Sequence, residues 1–147
     1  MEGQLYTITY FSKSKLTGEV DKIEQEVNAI LEVAQENNSQ RSVTGALLYS
    51  GGYFIQVLEG PEEAVEEIFE FIQCDKRHKE ITVLANKHIE HRSFSKWAMA
   101  LAGVQADLFP RLQGILAVPH DLTQSETGIA LVDVMIGLLQ KYEEAVT

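Results

Sequence analysis

Gln56 stands in the middle of an apolar run, Tyr53-Phe54-Ile55-Gln56-Val57-Leu58-Glu59-Gly60, and its amide is the group in this chain with the most chemistry to account for. Successive side chains of an extended strand face opposite sides, so Gln56 shares a face with Phe54 and Leu58 and points at a dry interior. Each of its donor and acceptor positions left unpaired there costs on the order of 1–3 kcal/mol. Something polar must sit opposite. A lone core glutamine satisfied by neighbouring backbone would carry no function. Gln56 has company, however: Tyr10 and Ser12 in another strand-like run, paired amides at Asn37 and Asn38, and Trp97 with Met99.

Other chemistries find little support. No Gly-x-Ser-x-Gly turn or cysteine signature marks a nucleophile, and the glycines form neither a P-loop nor a Gly-x-Gly-x-x-Gly fingerprint. The single cysteine, Cys74, excludes an internal disulfide and reads as a packing residue at a helix end. His78, His88, His91 and His120 lack metal-ligand spacing, so no metal is expected. The carboxylates lie mostly on helix faces, where solvation is their ordinary role. A turnover site is not expected, and the chain reads as a binding protein rather than an enzyme.

The elements that must position these residues emerge from periodicity. Leu5 to Ser12 alternates as a strand, with Tyr6, Ile8, Tyr10 and Ser12 on one face. Val20, Ile23, Val27, Ile30, Leu31 and Ala34 fall at helical spacing, and that helix should end near Asn37 and Asn38. Val43 to Ser50 and Tyr53 to Glu59 flank Gly51-Gly52, a pair suited to a two-residue hairpin turn. Pro61 and four glutamates introduce a second helix with Val65, Ile68, Phe69 and Ile72 on its apolar stripe, closing near Cys74. Ile81 to Ile89 suggests a fourth strand and Trp97 to Leu101 a fifth. This order predicts an α+β fold, a ferredoxin-like βαββαββ sandwich with both helices on one side of the sheet. The apolar stripes at Leu108 to Leu116 and Ile129 to Tyr142 predict a C-terminal helical extension that covers the other side. The division is then residues 1–103 for the core and 104–147 for the extension.

The 147 residues suit one compact domain, and an apolar content of 45% should fold it. A net charge of −10, with 12 dispersed basic residues, argues against direct nucleic-acid binding. No run of about 18 apolar residues spans a membrane, and no leader directs secretion, so the expected location is cytoplasmic.

Tyr10-Phe11-Ser12, Asn37-Asn38, Val43-Thr44-Gly45, Phe54-Ile55-Gln56-Val57-Leu58-Glu59-Gly60, Asp75-Lys76-Arg77-His78 and Trp97-Ala98-Met99 occur in the order and at the spacing of BLUF domains, the blue-light sensors that use flavin. The chain resembles that family from about Leu5 to Leu101. The resemblance implies non-covalently bound FAD between the two helices, in a pocket to which Tyr10, Ser12, Phe54 and Gln56 contribute from the sheet. It further implies that Tyr10 donates an electron and a proton to the excited flavin, with Gln56 bridging the two. Asn38 would hold the polar edge of the ring and Asn37 would lie beside the ring or its chain. Ile30 and Ile72 would sandwich the ring, while Arg77 and His78 line the pocket. Trp97 and Met99 would relay the change to the C-terminal helices, and thence to a protein partner or to the oligomeric state, a homo-oligomer being expected. Two departures stand out: Thr7-Ile8 replaces a frequent Arg-Leu, and Gln40 replaces an arginine, with Arg41 one place later. The alternative from the same fold is a flavin-free ligand-binding or oligomerisation module. An acylphosphatase-like enzyme would need an arginine-bearing anion loop, and the turn after Ser12 offers only lysines.

Overall fold

The computed structural model describes residues 4–50, 52–94 and 100–104. Runs rich in apolar, β-branched and aromatic residues build β1 (Leu5–Ser14), β2 (Thr44–Ser50) and β3 (Tyr53–Pro61), helical periodicity builds α1 (Val20–Gln40) and α2 (Glu62–Gln73), and β4 (His78–Ile89) and β5 (Ala100–Val104) complete the sheet. The strand order is β4-β1-β3-β2-β5, antiparallel except that β5 runs parallel to β2. The first four strands and two helices make the expected ferredoxin-like arrangement.

One sheet face carries Ile8, Leu47, Tyr49, Phe54 and Leu58, which pack with Val27 of α1 and Val65 and Ile68 of α2. The opposite face is buried as well, with Leu48, Ile55, Val57 and Leu84 beside Thr7, Thr9 and Glu59. The helical cover expected for that face from residues 104–147 lies outside the described residues, apart from Val104, which ends β5.

Register in the centre of the sheet is held by sterics as well as pattern. A Cβ on Gly45 would lie 1.9 Å from the Val57 carbonyl oxygen, a contact no side chain tolerates, so glycine alone lets β2 approach β3 here. Ser50 pairs with Tyr53 across the expected two-residue turn, and Gly52 takes φ +85°. In this register Gln56 lies between Tyr10 of β1 and Leu47 of β2.

Three local expectations need correction. α1 runs to Gln40, past the asparagine pair, because the Asn38 carbonyl accepts the Arg41 and Val43 amides and Ser42 turns the chain at φ 57°. β4 begins at His78, not Ile81: an irregular pairing between Phe11 and Lys13, with Glu80 at φ 54°, lets the polar residues 78–80 join the ladder. Cys74 caps the end of α2 and is exposed, so it does not pack in the core. β5 starts at Ala100, and Trp97 and Met99 lie outside the described residues.

Candidate functional site

α1 and α2 leave between them, above β1, β3 and β2, a cavity of about 330 Å³. Its floor is polar in one place. The Tyr10 hydroxyl donates to Gln56 Oε1, a bond between direct cross-strand partners whose side chains are both buried. Tyr10 is locked by its surroundings: its ring lies 5.5 Å from that of Phe69 and 6.3 Å from that of His78. Burial drives the Tyr10 pKa far above the ordinary phenol value, and the nearby Asp75 charge adds to the effect. The proton therefore stays on the phenol, and Gln56 presents its Oε1 to it and its Nε2 elsewhere.

Aliphatic residues form the walls. Ile30 and Ala34 stand one turn apart on α1, Ile68 and Ile72 one turn apart on α2, and all four line the cavity. Asn37 and Asn38 bring amides from the end of α1; Asn38 is buried, whereas Asn37 is exposed and its carbonyl accepts from Arg41. Both lie in the last turns of α1 and line the cavity.

His78 joins three elements. Its Nε2 lies 2.7 Å from the Ile72 carbonyl and its Nδ1 2.7 Å from Ser12 Oγ. Since a carbonyl can only accept, Nε2 carries the proton, and in the neutral ring Nδ1 accepts a hydrogen bond from the Ser12 hydroxyl. Ser12, expected in the pocket, does not line it; fully buried, it orients His78, which does. Phe54 lines the cavity and meets the His78 ring edge-on at 6.2 Å.

Charge at the site is paired. Arg77 donates from Nε at 2.9 Å and from a terminal nitrogen at 2.5 Å to Asp75, and these bonds hold the Asp75 carboxyl below its ordinary pKa and the guanidinium above its own. Arg41 donates to Glu67 at 3.1 Å, linking the end of α1 to α2. Among the described residues no group of His, Cys, Asp or Glu could hold a metal ion.

Of the expected pocket residues, Tyr10, Ile30, Asn37, Asn38, Phe54, Gln56, Ile72, Arg77 and His78 line this one cavity. Sequence reasoning missed Val33, Ala34, Arg41, Leu47, Ile68, Phe71 and Asp75. Leu47 was recoverable from the hairpin register, which sets it against Gln56, and Ile68 from its place one turn before Ile72. Val33 and Phe71 lie off the apolar stripes and gave no signal.

An apolar slot with amides at one end and a phenol–amide pair on its floor fits a flat heteroaromatic ring with a hydrogen-bonding edge, which is the chemistry of an isoalloxazine.

Comparison with known proteins supports the same conclusion. Over 126 residues the chain is 34% identical to the photoactivated adenylate cyclase subunit beta of Euglena gracilis, covering 84% of this chain but 14% of that protein. It is 40% identical over 97 residues to the blue light- and temperature-regulated antirepressor BluF of Escherichia coli strain K12, covering 66% of this chain and 23% of the other. Among solved structures, the dark state of BlrB, described as a BLUF protein, superposes with a TM-score of 0.66 at 29% identity over 93% of this chain and 98% of that one. The BlsA ground state shares the fold with a TM-score of 0.72 at 24% identity over 90% of this chain and 87% of the other. Residues 5–100 match the family model of sensors of blue light using FAD, and the chain belongs to the BLUF family.

Proposed function

We propose that this chain is a blue-light photoreceptor that binds FAD non-covalently in the cavity between α1 and α2 and signals without catalytic turnover of its own. The carrying observation is the Tyr10 hydroxyl bonded to Gln56 Oε1 on the floor of an aliphatic slot. When bound, the flavin supplies absorption of blue light and, once excited, a strong pull on an electron from a neighbouring phenol. Ile30 and Ile72 would hold the ring faces, Asn38 its polar edge, Asn37 the ring or its chain, and Arg77 and His78 the wall, with Ser12 orienting His78.

In the dark Tyr10 keeps its proton, because burial opposes the phenolate. With the flavin bound, a phenol that gave up an electron would become a strong acid; its proton would pass to the acceptor already in place, Gln56 Oε1, while Nε2 gave one up toward the flavin. The two ends of the amide differ chemically, so a rotation or tautomer change exchanges donor for acceptor on both of its sides. In a site without competing water the new arrangement persists. Only an element that favours one arrangement turns this into a signal.

The outlet for that signal is the β4–β5 connection. Glu59 lies beyond Gln56 on β3 and points to the opposite sheet face, where its carboxylate accepts the backbone amides of Ser93 and Phe94 at 2.9 Å. Arg92 donates to the Glu59 carbonyl, Thr44 and the Ser42 carbonyl, and Phe94 is fully buried. The chain is thus tied to β3 just before Trp97 and Met99, the proposed relay to the C-terminal extension and to a protein partner or a homo-oligomer. An exposed free thiol, Cys74, suits the reducing cytoplasm, and no helix among the described residues is long and apolar enough to cross a membrane.

The test is an absorption spectrum of the purified full-length chain in the dark and after blue light. A yellow protein whose bands shift reversibly to the red is expected; a colourless protein, or a flavoprotein with an unchanged spectrum, would refute the proposal.

A further inference from the structure

The cavity has room for only part of the cofactor it is proposed to bind. About 330 Å³ lies near the lower end of the roughly 300–1,000 Å³ of ligand pockets, enough for a tricyclic ring and its short chain and too little for a whole dinucleotide. The remainder of the cofactor must pass the mouth. Two large hydrophobic residues line the cavity while remaining more than half exposed, Val33 at 56% and Phe71 at 65%. They come one from each helix, and they are the large exposed hydrophobics among the described residues. Neither belongs to the stripes that pack on the sheet, which use Val27, Ile30 and Ala34 on α1 and Val65, Ile68 and Ile72 on α2. The fold does not need an aromatic ring at position 71.

Charge does not distinguish the mouth. Each of its guanidinium groups already holds a carboxylate, Arg41 with Glu67 and Arg77 with Asp75, so a phosphate arriving there would have to compete with a carboxylate for either cation. The ring of Phe71 has no such competitor. We propose that Phe71, with Val33, forms a stacking subsite for the adenine base of FAD, so that this chain holds the dinucleotide through an aromatic contact more than through phosphate charge. The inference rests on the flavin reading of the cavity and adds a binding role for two residues outside the apolar stripes.

The experiment reconstitutes full-length apoprotein with riboflavin, FMN and FAD and measures each Kd by quenching of flavin fluorescence, for the native chain, Phe71→Ala and Phe71→Trp. Because residue 71 is exposed, both variants should fold. Phe71→Ala should weaken FAD binding about fivefold or more, the lower end of base–aromatic stacking, leave riboflavin and FMN within about twofold, and Phe71→Trp should restore the preference. The preference should also persist in high salt, where phosphate attraction is screened. Equal weakening of all three ligands, or of none, would overturn the subsite. So would a Phe71→Ala chain whose mass by light scattering changes while its FAD-to-FMN ratio does not, since Phe71 would then contact a second copy. A native chain that binds the three flavins equally removes the subsite alone; one that binds none removes the flavin reading with it.

Discussion

Tyr10 and Gln56 are direct partners across β1 and β3, so the proposed switch depends on two side chains whose backbones cannot drift apart. Tyr10→Phe keeps the ring packed on Phe69 and removes the hydroxyl. It should leave a flavin-loaded, more fluorescent protein that has lost most of its light-induced shift, at a stability cost of about 1–3 kcal/mol from the partner removed from a buried amide. Steady-state fluorescence and a urea titration measure both. An unaltered photocycle would take Tyr10 out of the mechanism. Gln56→Leu keeps the bulk on the floor while abolishing the acceptor. Flavin should still bind, and the red shift should be absent; a normal shift in that variant would show that the amide is not the switch.

Among the elements, those with clean periodicity were legible from sequence: β1, the β2–β3 hairpin, and the two helices with their buried stripes. The buried glutamine was legible for the same reason, as a polar residue at an even position of an apolar strand. Glu59 carried the equivalent signal at an odd position and was missed, though it is as buried as Gln56. The start of β4 was illegible because His78, Lys79 and Glu80 have no alternation, their pairing being a property of the irregular ladder with β1. Glu59 also yields a measurable consequence. Burial raises its pKa above the ordinary 4.5, against the lowering effect of the Ser93 and Phe94 amides and Arg92. The folded chain therefore binds the Glu59 proton more tightly than the unfolded one, so this group's stabilisation is complete below about pH 4.5 and is lost as pH rises through the folded value. Glu59→Gln should flatten that part of the stability–pH profile, read as urea midpoints across a pH series. Glu59→Ala should cost about 1–3 kcal/mol at any pH by stranding the two amides. A profile for Glu59→Gln that matches the native chain would show that Glu59 does not titrate between the two states.

For the whole molecule, the strand order places β4 at one edge and β5 at the other, and between them in sequence Ser93 and Phe94 are held to β3 by Glu59. A chain ending after Val104, which keeps β5 whole, should retain the spectral shift and lose any light-dependent change in mass or partner binding. Size-exclusion chromatography with light scattering, in dark and light, provides the comparison. Light-dependent assembly that survives the truncation would place the outlet elsewhere.

The distribution of the cavity along the chain also bears on how the protein is made. The described residues that line it run from Tyr10 to His78, whereas the parallel pairing of β2 with β5 joins Ala46 to Ala100. Parallel strands are slow to close. A chain emerging from the ribosome thus frees the described walls of its light-absorbing site before the strand that carries the message outward has emerged. The receptor takes shape before its transmitter, and a cofactor that binds at that moment would template the rest of the sheet.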